Sequence, residues 1–193
     1  MEDLANNKKY KSVLDASRKL FWKHGVRRVT IEEICHEANV SKMTFYRFFP
    51  NKTELVKKVL DRYYDEGLVT FRQITRADTT AAEKFRKMIQ MKVEASDEIS
   101  HEFIQDLLVN DKGELFSYFE EKLRFIYSEG VREFKIGQEK GWIRKDLNVE
   151  FMFFYFQKTS AFLAGNEVLA KFSSPQEMII EVSNLLIYGI SPR

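Results

Sequence analysis

The sequence predicts an all-α chain in which a compact three-helix head precedes a longer helical body. Three observations point that way. Apolar residues recur at i, i+3, i+4 and i+7 along most of the chain, the spacing that gathers them on one face of a helix. No period-2 alternation of useful length occurs, so nothing reads as a strand. The 193 residues include only three prolines and eight glycines, too few for a loop-rich or all-β fold, while 44% apolar content supplies a core.

Each element has its own justification. From Lys8 to His24, Val13, Ala16, Ser17, Leu20 and Phe21 share one face while Lys11, Arg18, Lys19 and Lys23 mostly take the others. Gly25 closes this helix, as glycine does at a left-handed C-terminal position. Thr30 precedes Ile31-Glu32-Glu33, so a hydroxyl N-cap with Glu three residues on forms a capping box. Ile31, Ile34, Cys35 and Ala38 form that helix's apolar stripe. Asn39, tolerant of the left-handed conformation, follows. Ser41 is a good N-cap for a third helix reaching about Phe49. After Pro50-Asn51 a longer helix opens at Lys52, its core face carried by Leu55, Val56, Val59, Leu60, Tyr63 and Tyr64. Further helices are predicted at 80–97, 100–110, 114–139, 148–171 and 175–190. No internal repeat, low-complexity segment or flexible linker interrupts them.

The segment from Thr30 to Lys52 carries the most chemistry. Two short helices joined by a tight turn present Lys42, Thr44, Tyr46 and Arg47 on the second one, a group suited to a DNA major groove. Charge is distributed accordingly. Residues 1–60 hold 13 Lys and Arg against 7 Asp and Glu, whereas residues 61–193 hold 18 against 22. A polyanion partner for the first part is the expectation.

Val13-Leu14-Asp15-Ala16, Leu20-Phe21, Gly25, Thr30, Ile34, Ala38-Asn39-Val40-Ser41, Thr44, Phe45-Tyr46, Phe49, Lys52 and Leu55 stand in an ungapped order and spacing. In this the chain resembles the TetR family of bacterial transcriptional regulators, over roughly residues 10–60. Asn39 replaces the family's usual glycine, Met43 a small residue, and Phe48 a frequent histidine or tyrosine. The resemblance implies a helix-turn-helix DNA-binding domain over 1–52, fused to a helical effector-binding and dimerisation domain over 53–193. It implies phosphate anchors at Thr30, Ser41, Tyr46 and Lys52. Base readout falls to Lys42, Met43, Thr44 and Arg47: cations can pair with guanine O6 and N7, and the methyl groups of Met43 and Thr44 can meet a thymine methyl. Thr30 and Ser41 have a plainer use as helix caps, Tyr46 as a surface aromatic, Met43 as a patch on the domain surface and Lys52 as a solvated cation. Phe45 and Phe49 are expected to point inward.

The body predicts a partner and a ligand. Phe151 to Phe156 is apolar all round its helix, Ala161 to Ala164 continues it, and the last helix repeats the pattern from Met178 to Ile190. Such helices must be covered on every side, most economically by the same pair from a second chain. The resemblance implies this homodimer, and with it a palindromic double-stranded DNA operator. It also implies a pocket for a small effector. Phe71, Met88, Met91, Phe103, Leu107, Phe119 and Tyr155 are the candidate lining, with core packing as the competing use of each. The few candidate buried charges suggest an apolar or aromatic ligand.

Other functions find little support. His24, His36 and His101 have no metal-ligand spacing, no Gly-rich phosphate loop occurs, and Cys35 lies on a buried stripe. No enzyme, metal or cofactor is expected. An all-helical enzyme or a protein-binding adaptor would not need Thr30, Ser41, Tyr46 and Lys52 together. The N-terminus has no apolar h-region and the longest apolar run is too short to span a bilayer, so a cytosolic location without membrane contact is expected.

Overall fold

In a computed structural model of the chain, the residues described are 7–96, 99–108, 113–163, 168, 171–173 and 175–190. All elements among them are helices: α1 Lys8–His24, α2 Ile31–Glu37, α3 Lys42–Phe48, α4 Lys52–Arg76, α5 Ala81–Ser96, α6 His101–Leu108, α7 Glu114–Glu139, α8 Val149–Leu163 and α9 Pro175–Ile190. The helix predicted to extend to 171 is thus found as far as Leu163; residues 164–167, 169 and 170 lie outside the described ones.

Local chemistry sets the head. The Asn7 carboxamide oxygen caps α1 by accepting from the Lys9 and Tyr10 amides at 3.0 and 3.2 Å. Gly25 takes φ +79°, where a side chain would be strained, and a Cβ there would stand 2.7 Å from Asp106 Oδ2. The capping box of α2 is complete: Glu33 N donates to Thr30 Oγ1 at 3.2 Å and Thr30 N to Glu33 Oε2 at 2.8 Å. Asn39 is left-handed at φ 52°. Ser41 Oγ accepts from Thr44 N at 3.1 Å and opens α3. The core beneath is Val13, Phe21, Ile34, Phe45, Phe49 and Leu55, all buried. Burying each aliphatic or aromatic side chain of this kind contributes about 1.5–3 kcal/mol.

The chain forms two compact units. The first comprises residues 1–63 and 98–121, the second residues 64–97 and 122–193. In the first, α6 is tied to α1 and the loop after it. Ser100 N donates to Trp22 O at 2.8 Å, the Trp22 and Phe103 rings lie 4.3 Å apart, and Arg27 N donates to Asp106 Oδ2 at 2.9 Å. Lys57 and Tyr118 link the start of α4 to the start of α7 by reaching Glu114 and Asp61, each at 2.5 Å.

In the second unit the core is Ile74, Phe85, Met88, Phe134, Trp142, Ile143 and Val149. Here Lys122 pairs with Asp65, Arg72 with Glu129 and Arg76 with Glu133. The partners in all five α4–α7 links are 57 residues apart, so within each unit the two helices run parallel. Glu133 is buried and accepts from Thr75 Oγ1 at 2.8 Å and Arg76 at 2.5 Å. Burial pushes its carboxyl up, but the hydrogen bonds from Arg76 and Thr75 and the charges of Arg76 and Arg132 outweigh this, and the net shift is downward.

Candidate nucleic-acid interface and effector region

The outward side of α3 is built from both ends of the helix. Phe45 and Phe49 are buried as expected and hold it to the core. Four residues point away: Met43 is 82% exposed, Tyr46 53% exposed, and Lys42 and Arg47 lie beside them in solvent. The Tyr46 ring meets Phe45 edge-on with centroids 5.4 Å apart, and the Arg47 guanidinium lies 5.1 Å from the Phe48 ring centre. Both polar tips therefore have apolar backing that limits their wandering.

Lys42 pairs with Glu32 across the turn between α2 and α3. The hydrogen bond between them lowers the Glu32 carboxyl and raises the Lys42 ammonium. Both groups are exposed, so DNA phosphate can displace the pair at little cost. Sequence inspection does not single out Glu32, because the turn, not a local spacing, brings it to Lys42. Thr44 is half-buried, and its hydroxyl lies 3.0 Å from that of Ser41. Thr30 Oγ1 donates to Glu33 Oε2 at 2.9 Å.

Lys52 has a use that its sequence position does not announce. Its Nζ donates to the carbonyls of Val26, Arg27 and Val29 at 2.9, 3.3 and 2.9 Å. Three N–H groups meet three carbonyls, which completes the ammonium's donor capacity. Burial lowers its pKa, against the opposing charges of Asp106 and Glu33. Lys52 thereby fastens the α1–α2 loop to the start of α4.

The effector candidates fall in both compact units. Met88 is buried in the second unit's core, with Phe71 and Met91 packed against that core. Phe103, Leu107 and Phe119 are buried in the first unit, Phe103 against Trp22. Tyr155 is 56% exposed, next to Phe151 on α8. That face of α8 also carries Phe151 at 63% and Phe154 at 55% exposed, and α9 carries Ile180 at 38% and Leu185 at 69%. The side chains of Phe156, Ala161 to Ala164, Ile179 and 186–190 lie outside those described.

Among the described residues there is no group of three or more His, Cys, Asp or Glu placed to hold a metal ion, and no helix long and apolar enough to cross a membrane. Cys35 is buried, and burial raises its thiol pKa.

Comparison with known proteins bears on the head first. Residues 13–59 match the sequence profile described as bacterial regulatory proteins, tetR family. The HTH-type transcriptional repressor KstR2 of Mycobacterium tuberculosis is 23% identical over 160 residues, covering 80% of this chain and 78% of that protein. The structure of the fatty acid degradation regulator FadR from Bacillus halodurans superposes with a TM-score of 0.73 at 20% identity, covering 95% of this chain and 96% of that one. A TetR family regulator from Agrobacterium tumefaciens gives a TM-score of 0.73 at 14% identity, covering 96% and 100%. The capped helix-turn-helix and the profile match agree that residues 13–59 are similar to the DNA-binding head of TetR family regulators, and the chain shares the helical fold of the regulators it superposes on.

Proposed function

We propose that the protein is a ligand-responsive repressor. It binds a palindromic operator as a homodimer and is released by a small, largely apolar effector. The observation that carries the DNA part is α3 itself, a short helix pinned by two buried phenylalanines with Lys42, Met43, Tyr46 and Arg47 directed outward. Lys42 and Arg47 supply base or phosphate contacts, and Met43 and Thr44 supply methyl groups for thymine. Thr30, Ser41 and Tyr46 place hydroxyls for phosphate. Lys52 contributes chiefly by position, since its ammonium is already engaged. On this division by role, residues 1–52 bind DNA and residues 53–193 sense and dimerise.

The exposed aromatic and aliphatic faces of α8 and α9 support the homodimer. Isolated apolar side chains on a surface are ordinary, but a run of large ones on two neighbouring helices in sequence marks an interface. A two-fold axis would set the two copies of α3 about 34–36 Å apart, one turn of duplex. The effector binds within the second unit, where Met88 with Phe71 and Met91 provides apolar lining. A ligand that prefers a different spacing of the two heads shifts the population, with α4 as the lever, and DNA affinity falls by the coupling free energy of about 1–3 kcal/mol.

An electrophoretic shift assay with the DNA flanking the protein's own gene tests this. Salt-sensitive binding by two chains per site is expected; a chain that binds none of that DNA at low salt would remove the repressor function.

A further inference from the structure

The carboxylates of α2 have different uses. Glu33 accepts from the Thr30 amide at 2.8 Å and from its hydroxyl at 2.9 Å, within the capping box. Glu37 pairs with Lys19 of α1 at 2.6 Å. Glu32 instead reaches across the turn to Lys42, the first residue of α3.

A carboxylate is an unexpected neighbour for that lysine. Both members of the pair are exposed, on the side of α3 that also presents Tyr46, about one helical turn after Lys42. The fold gains little from it, because an ion pair in solvent adds little stability. On DNA of arbitrary sequence it is a disadvantage: the carboxylate repels phosphate and loses Lys42 to it.

The pair has a chemical pattern of its own. An ammonium only donates and a carboxylate only accepts, so the two in contact offer a donor and an acceptor side by side. The major-groove edge of a guanine–cytosine pair offers the reverse: guanine O6 and N7 accept, and cytosine N4 donates beside O6. Lys42 stands at the end of α3 that approaches base edges in helix-turn-helix proteins. An adenine–thymine pair matches less well, since the ammonium would meet thymine O4 with a methyl group next to it.

We infer that Glu32 and Lys42 together read one guanine–cytosine pair in each half of the operator, Lys42 on the guanine and Glu32 on the N4 amine of the cytosine. This rests on the DNA-binding function proposed above and adds a residue of α2 to the specificity determinants.

The test starts with selection of duplexes from a random-sequence pool by the full chain. Wild type should enrich a guanine–cytosine pair at one symmetric position in each half-site. Replacing that cytosine by 2-pyrimidinone, which lacks the N4 amine, should weaken wild-type binding by about tenfold and Glu32→Ala binding by about twofold or less. Glu32→Gln sheds the repelling charge but keeps an acceptor, so it should stay sensitive to the analogue. On random-sequence duplex, Glu32→Ala should bind severalfold more tightly than wild type. Wild type that binds DNA but enriches no such pair, that tolerates the analogue, or whose penalty is shared by Glu32→Ala overturns the inference and leaves the DNA-binding head standing. A role confined to the start of α2 would lower the unfolding temperature of Glu32→Ala and leave every DNA measurement unmoved, which also overturns it. A chain that captures no duplex at low salt overturns both this inference and the DNA-binding function.

Discussion

The outward surface of α3 and the outward surfaces of α8 and α9 solve opposite problems. On α3 the exposed residues are a lysine, a methionine, a tyrosine and an arginine, set on a helix whose inward phenylalanines leave it no freedom to turn. On α8 and α9 the large exposed side chains are the apolar Phe151, Phe154, Tyr155, Ile180 and Leu185, with the charges of Glu150, Lys158, Glu177 and Glu181 beside them. The first surface can exchange water for phosphate and base edges. The large apolar side chains of the second gain by leaving water, so it suits a copy of itself. On the proposed function, one chain thus separates what it reads from how it pairs.

The strongest way to break that separation is to charge the second surface. Phe154→Glu with Leu185→Glu should convert the dimer to monomer in sedimentation and lower operator affinity by about a hundredfold or more. Dimers that persist at micromolar concentration would place the interface elsewhere. Next in size, Tyr46→Ala and Lys42→Ala should each weaken operator binding by about tenfold while the thermal midpoint stays unchanged, since both side chains are exposed. Unaltered affinity in both would take α3 out of the interface.

Lys52→Met sharpens the comparison within the head. It leaves three carbonyls without their donor and should cost about 1–3 kcal/mol of stability. The salt dependence of DNA binding should stay as in wild type; a slope reduced by about 0.9 would instead mark Lys52 as a direct phosphate contact. Smaller again is Glu32→Gln. Freeing Lys42 and removing a negative charge beside the DNA surface should tighten binding severalfold, and a weaker complex would show that the pair orients Lys42 productively.

Glu133→Gln probes the body alone. The wild-type carboxyl is lowered in the folded state, so its contribution is fully present above the ordinary carboxylate pKa of about 4.3 and is lost as pH falls through the depressed folded value. The stability difference between wild type and variant should therefore shrink on acidification. A difference that holds constant to low pH would mean the Arg76 and Thr75 bonds do not depend on the charge.

The head was legible in the sequence because its determinants are local. Thr30 with Glu33, Ser41 with Thr44, and the positive φ of Gly25 and Asn39 all act within a few residues. Long-range pairings carry no such signal. Nothing near Lys52 announces carbonyls 23 to 26 residues earlier, and nothing near Arg27 announces Asp106. The effector candidates carry no local signal of their place either. Aromatic and sulfur side chains mark burial without saying where, and so Phe103, Leu107 and Phe119 fell in one compact unit and Phe71, Met88 and Met91 in the other.

The most direct measurement is fluorescence anisotropy of the full chain on DNA upstream of its own gene, titrated at several salt concentrations. Two chains per duplex should bind, with log K falling linearly in log salt at a slope of about −0.9 for each phosphate neutralised. Binding that ignores salt, or a single chain per site, would contradict a dimer that reads DNA through α3.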